Sequence, residues 1–275
     1  MIDFKVDKGK CTHCGKCSSD CPVLIIDSKT EFPEIKEGKE QNCLKCQHCL
    51  AVCPEGAISI WGKQPGDSIP VGSPIPKSEE LENLMQMRRS TRKFTKKEID
   101  KELIHHLVAK ASYAPTGKNE NAVQFTVVDN KDDMAKLRNL AYDTLKQVFE
   151  EGRFPEKYLF LNNFREVWEK KQIDVIFRNA PHFILVSAPH SGTEPHIDCS
   201  IALTYFDLLA SANGIGTLWD GFAKYVFEDV APELKKVINI PDDHEIVASM
   251  IFGKSAIKYS RSIQNNEPAI KRISL

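Results

Sequence analysis

Eight of the nine cysteines in this 275-residue chain fall into two copies of one pattern. The first copy reads Cys11-Thr-His-Cys14-Gly-Lys-Cys17-Ser-Ser-Asp-Cys21-Pro22, and the second Cys43-Leu-Lys-Cys46-Gln-His-Cys49-Leu-Ala-Val-Cys53-Pro54. Both are C-x2-C-x2-C-x3-C-P. Three thiolates from one tight loop and a fourth from a distance suit the corners of an iron–sulfur cube. Zinc is the competing reading, but zinc sites usually use separated C-x2-C pairs and need neither the third cysteine nor the Cys-Pro step. Disulfides fit poorly, because nothing in the chain suggests secretion. The pattern occurs only twice, which marks a pseudo-symmetric small domain rather than a solenoid.

This spacing resembles that of bacterial ferredoxins with two [4Fe-4S] clusters. In such proteins the fourth cysteine of each motif ligates the other cluster. The resemblance therefore assigns Cys11, Cys14, Cys17 and Cys53 to cluster one, and Cys21, Cys43, Cys46 and Cys49 to cluster two. Low-potential clusters of this type imply an anaerobe or a well-reduced cytoplasm.

A second chemical feature is the basic run Met87-Arg88-Arg89-Ser90-Thr91-Arg92-Lys93-Phe94. Taken alone it reads as a solvated helix end. It also has the makings of a phosphate site, since arginine forks match phosphate oxygens and Ser90 can donate a hydroxyl. The run resembles the R-x-S-x-R/K-x-F entry motif of nitroreductase-like flavoproteins. Three further segments follow in that family's order. Ala114-Pro115-Thr116-Gly117-Lys118-Asn119-Glu120-Asn121 resembles its A-P-S-x-x-N-x-Q loop. Ala212 to Phe222 resembles its glycine turn after the central helix. Gly253 with Arg261 resembles its terminal segment.

The resemblance covers about residues 80 to 265 and implies an α+β sandwich that forms a homodimer, with FMN at the subunit interface. Carried over, Arg88, Ser90 and Arg261 hold the FMN phosphate and ribityl chain, with Arg89 in the same basic run. Arg92 sits near the pyrimidine edge, where positive charge favours the anionic reduced flavin. Asn119 meets the ring edge. Asp220 and Gly221 approach the reactive nitrogen largely through backbone N–H groups. Pro115 and Thr116 come from the partner subunit. Asn121-Ala122-Val123 stands where the family has Q-P-W, which weakens Asn121 as a flavin contact. Lys254 replaces the tyrosine that follows the family's terminal glycine.

The elements that must position these groups are legible as period and punctuation. Residues 1–62 form the cluster domain, 63–78 a Pro/Gly linker, and 79–275 the second domain with a C-terminal arm that packs on a partner. Leu81, Leu84, Met85 and Arg88 follow helical spacing. Thr95-Lys-Lys-Glu98 matches a capping box ahead of the stripe Ile99, Leu103, Leu107, Val108, Ala111. Strands are expected at 123–128, 183–187, 218–219 and 245–252, and helices at 132–151, 156–171 and 196–212. Gly214 and Gly216 follow a helix and precede a strand, the reverse of a dinucleotide fingerprint. Cys199 reads as core filling, His182, His190, His196 and His244 as ordinary histidines, and His13 and His48 as surface residues. Phe154, Tyr158, Phe160, Phe164 and Trp168 read mostly as core.

Hydrophobic content is 41%, charged content 27% and net charge -1. These are globular values with no field favouring nucleic acid or anionic membrane. No apolar run approaches a membrane span and the start lacks a signal core, so a cytoplasmic protein is expected. The combination implies an FMN-dependent oxidoreductase. A low-potential donor such as ferredoxin feeds two clusters, and FMN reduces a small nitroaromatic- or quinone-like acceptor. No general acid is evident, so protons are expected from solvent. The alternatives are NAD(P)H oxidation with electrons exported through the clusters, and an electron-transfer or sensing partner without a substrate of its own.

Overall fold

Two short antiparallel strand pairs frame the cysteine segments in the computed structural model, which describes residues 2–275. The chain divides into two compact units, residues 1–75 with 118–120, and residues 76–117 with 121–275.

In the first unit β1 (Phe4–Val6) pairs with β4 (Ile58–Ile60), and β2 (Ile26–Asp27) with β3 (Glu34–Ile35). Each cysteine motif contains a one-turn helix, α1 (Lys16–Ser19) or α2 (His48–Ala51), entered through a left-handed residue, Gly15 or Gln47. The repeat in sequence is thus a repeat in structure. The small core holds Cys17, Cys21 and Cys49 among Ile25, Ile26, Leu50, Ile58 and Ile60.

The second unit is built on one antiparallel sheet, ordered β5 (Gln124–Val128), β6 (His182–Pro189), β8 (His244–Gly253), β7 (Gly216–Trp219). Strand β6 is buried on both faces, as its unbroken apolar run requires. Phe183 and Leu185 point to a core shared with α5 (Lys131–Glu150) and α6 (Phe160–Lys171). Ile184 and Val186 point to the opposite core, shared with α4 (Lys101–Ala111) and α7 (Pro195–Ala212). Helices on both faces of the sheet make the α+β sandwich expected from the sequence.

One local expectation is corrected. Thr95-x-x-Glu98 does not cap α4. Asp100 is the N-cap, and its carboxylate accepts from the Leu103 N–H at 3.0 Å. Glu98 instead accepts from Lys131 N–H at 2.9 Å, and Ile99 N–H donates to His182 Nε2 at 2.8 Å. Tertiary acceptors outcompete the local motif there. Helix α3 (Ser78–Met87) has no buried residue and leaves Leu81 and Met85 exposed. From Ala256 to Leu275 the tail is exposed throughout and has no regular structure.

Candidate functional site

The eight motif cysteines sort into two sets of four. Cys11, Cys14, Cys17 and Cys53 line one small cavity together with Gly15, Pro33, Ala57 and Ile58. Cys21, Cys43, Cys46 and Cys49 line a second, walled by Val23, Ile25, Ile26 and Ile60. In each set three sulfurs come from one motif and the fourth from the other. Among the described residues no three His, Cys, Asp or Glu side chains converge as a single-ion site. The sulfurs ring a space instead of meeting at a point. Burial pushes the Cys49 thiol up to about 11, with Cys46, Cys43 and Cys21 as its charged neighbours. Burial likewise raises Cys17, whose neighbours include Cys14 and Cys53. A soft, multi-iron centre that displaces the thiol protons fits this donor set. The Cys53 sulfur also accepts from Ala57 N–H at 3.2 Å. His48 lies on the surface, with Nδ1 3.1 Å from Asp20 Oδ2.

In the second unit, three of the segments singled out in the sequence are brought together. Ser90 forms a parallel bridge with Thr217, and Thr91 N–H donates to Thr217 O at 2.7 Å. Phe94 bridges Ser255, with Thr95 N–H on Lys254 O and Ala256 N–H on Lys93 O. Gly253 pairs with Gly216 in the β7–β8 ladder. The basic run is therefore laid along β7 at one end and the exit of β8 at the other. Gly216 permits this approach, because a Cβ there would lie 2.8 Å from Thr91 Cβ. A Cβ on Gly253 would lie 2.7 Å from the Pro181 ring. Gly216→Ala should push the basic run off β7, with destabilisation of about 1–3 kcal/mol and loss of bound flavin. Thermal unfolding and flavin content of the purified variant check this.

Arg88 and Ser90 are half-buried, as is Arg89, while Arg92 is exposed with Nη1 3.4 Å from Ser90 O. Gly221 is the first residue of α8 (Gly221–Tyr225), where backbone N–H groups have no acceptor within the helix. It is exposed, and the nearest atom to a Cβ built there is Tyr225 Cε2 at 3.9 Å. A cationic run, a hydroxyl and an open helix start in one unit fit the phosphate and ring of a flavin nucleotide.

The expectation for Asp220 is corrected in part. Its N–H donates to Ser249 O at 2.8 Å and is not free for a ligand. Its Oδ1 caps α8 by accepting from Ala223 N–H at 3.1 Å, and Ser249 Oγ donates to its carbonyl at 2.7 Å. Oδ2 is buried without a hydrogen-bond partner among the described residues, and burial pushes the carboxyl up to about 7.

The loop 114–121 is held by an acid that sequence reasoning missed. Asp198, 5% exposed on α7, accepts from Gly117 N–H at 2.9 Å. Thr116 Oγ1 accepts from Asn121 N–H at 3.0 Å, and Pro115 is exposed. Lys118, Asn119 and Asn121 are left-handed, a conformation asparagine tolerates. The Asn119 side-chain amide donates to Leu44 O at 3.0 Å, within the first unit. Arg261 lies in the exposed tail.

Asp207 on α7 is the other residue missed. It is 3% exposed and gathers Thr217, Trp219 and Arg88 around its carboxylate. The available signal was the same for both acids: an aspartate inside an otherwise apolar helix needs a partner.

Fold and site together define an α+β sandwich domain joined to a small domain that carries two sets of four cysteines. Residues 85–254, more than half of the chain, match the model of the nitroreductase family, and residues 3–66 match that of the 4Fe-4S dicluster domain. The chain belongs to the nitroreductase family and carries a 4Fe-4S dicluster domain at its N-terminal end. It is 23% identical over 192 residues to an iodotyrosine deiodinase of Danio rerio, covering 66% of this chain and 62% of that one. It is 33% identical over 70 residues to Ferredoxin-3 of a Nostoc species, covering 20% of this chain and 72% of that one. The crystal structure of a nitroreductase with bound FMN from Bacteroides fragilis has the same fold, with a TM-score of 0.56 at 20% identity. That match covers 70% of this chain and 99% of the other. The chain spans less than two thirds of the fish relative's length. Among the described residues no helix is long and apolar enough to cross a membrane.

Proposed function

We propose that the protein is an FMN-dependent oxidoreductase that draws electrons from a low-potential donor through two [4Fe-4S] clusters and reduces a small organic acceptor. The observation that carries this reading is the covalent union, in one chain, of a dicluster domain with a nitroreductase domain. The clusters supply one-electron transfer, and FMN, when bound, supplies two-electron reduction.

In this reading Cys11, Cys14, Cys17 and Cys53 hold one cluster, and Cys21, Cys43, Cys46 and Cys49 the other. Arg88, Arg89 and Ser90 hold the FMN phosphate and ribityl chain, with Arg261 reaching in from the tail. Arg92 places positive charge by the pyrimidine edge. Gly221 offers its free N–H to the ring, and Gly253 keeps the basic run seated on the end of β8. Asn119, Asn121, Pro115 and Thr116 belong to the loop that meets the ring. A homodimer completes the site, and the exposed apolar side chains Ile197 and Tyr205 on α7, with Leu81 and Met85 on α3, supply a face for it.

The acceptor is a flat aromatic or quinone-like molecule. Phe222, next to Gly221, has its ring centroid 5.9 Å from that of Phe160 and 5.0 Å from that of Phe164. Phe160 is 37% exposed. The name of the deiodinase relative adds haloaromatic compounds to the class to be tried. Composition tests the layout: anaerobically isolated protein should contain about eight irons and one FMN per chain. Zinc in place of iron, or no flavin, overturns it.

A further inference from the structure

Asp207 lies on the buried side of α7, and a carboxylate there must be compensated. Three elements supply the compensation. Thr217 of β7 donates its hydroxyl to Oδ1, and Trp219 of β7 donates its indole N–H to Oδ2 at 3.1 Å. Arg88, at the end of α3, brings Nη1 to 3.5 Å from the same Oδ2. The side chain of Asp207 is 4% exposed and that of Arg88 is 30% exposed. The guanidinium thus meets the buried acid through Nη1, while the arginine side chain as a whole stays partly exposed. An arginine fork has five N–H donors in a fixed plane, so anchoring one end fixes the direction of the others. Thr217 also receives the Thr91 N–H on its carbonyl, so the basic run and the acid that anchors Arg88 are tied to one residue.

We infer that Asp207 is a positioning residue for the cofactor phosphate, pinning Arg88 so that its outer N–H groups are pre-set to receive the phosphate oxygens. This rests on the proposed role of Arg88. Coulomb's law alone gives the opposite sign: a nearby carboxylate weakens the attraction of Arg88 for an anion, so removing its charge should tighten FMN binding. Positioning gives weaker binding, because an unanchored arginine must be ordered each time the phosphate binds.

The test is titration of the full, cluster-loaded chain, stripped of flavin, with FMN and with riboflavin, which lacks the phosphate. Arg88→Gln should weaken FMN roughly tenfold or more and leave riboflavin within about twofold. Asp207→Asn should weaken FMN by roughly three- to tenfold, again with riboflavin little changed. The double variant should be no weaker than Arg88→Gln alone. Equal loss of both flavins in Arg88→Gln, or loss of neither, removes the role of Arg88 and the inference with it. If Arg88→Gln is selective but Asp207→Asn leaves FMN binding unchanged, tightens it, weakens both flavins alike or adds to the Arg88 effect, only the positioning role of Asp207 falls. Should Asp207→Asn fail to fold, Thr217→Val, which keeps the acid and removes one of its donors, carries the same comparison. An FMN-selective loss supports the inference, and an equal loss overturns it.

Discussion

Cys53→Ser should cost the chain the cluster ringed by Cys11, Cys14 and Cys17 while sparing the cluster held mainly by its own motif. Iron should fall from about eight to about four per chain. The decisive comparison uses double variants. Cys53→Ser with Cys14→Ser strikes one cavity twice and should keep about four irons. Cys53→Ser with Cys46→Ser strikes both cavities and should keep almost none. Independent motifs, each closing on its own cluster, would reverse these outcomes. The effect on folding should also be large, because three of the eight core residues of this unit are cysteines. A unit this small has little other apolar core, so the metal contributes directly to its folding. Iron and sulfide analysis, with far-ultraviolet circular dichroism, reads both consequences.

Asp220→Asn should stabilise the protein at high pH and do little at low pH. Burial pushes this carboxyl up to about 7 from an ordinary 3.8, with Asp174 reinforcing the shift and Arg178 opposing it. The unfolded chain ionises near the ordinary value, whereas the folded chain holds its proton until about 7. Stability associated with the neutral acid is therefore present below pH 4 and is lost as pH climbs through about 7. Asparagine keeps an oxygen for the Ala223 cap and carries no charge. The advantage of the variant should grow by roughly 4 kcal/mol across that window, at 1.36 kcal/mol per pKa unit. Denaturant midpoints of wild type and variant at pH 5 and pH 8 should capture about 3 kcal/mol of it, because the unfolded carboxyl is already largely ionised at pH 5. A constant difference between the two pH values would show that the carboxyl ionises normally in the folded chain.

What could be read from the sequence divides along a physical line. The thiol sets were legible because a metal site imposes spacing on the chain itself. Strand β6 was legible because burial on both faces leaves a continuous apolar run, and α7 because apolar residues persist for its whole length. The cap of α4 was misread because Thr95 and Glu98 satisfy the local pattern, while Glu98 is used by Lys131 across the fold. Asp198 and Asp207 escaped notice because their partners, Gly117 and the Arg88–Thr217–Trp219 group, are distant in sequence. The N–H of Asp220 was assigned outward although Ser249, on the neighbouring strand, takes it. Pattern shows which residues are special, and packing decides which of their atoms remain free.

The most direct test of the central proposal is anaerobic rapid mixing of the holoprotein with reduced ferredoxin, NADH or NADPH, following cluster and flavin absorbance separately. The expected result is bleaching of the clusters by reduced ferredoxin, followed by reduction of the flavin, with both steps lost in the Cys53→Ser, Cys46→Ser variant. Rapid reduction of flavin and clusters by NADH or NADPH, with no response to reduced ferredoxin, would contradict it and reverse the direction of electron flow.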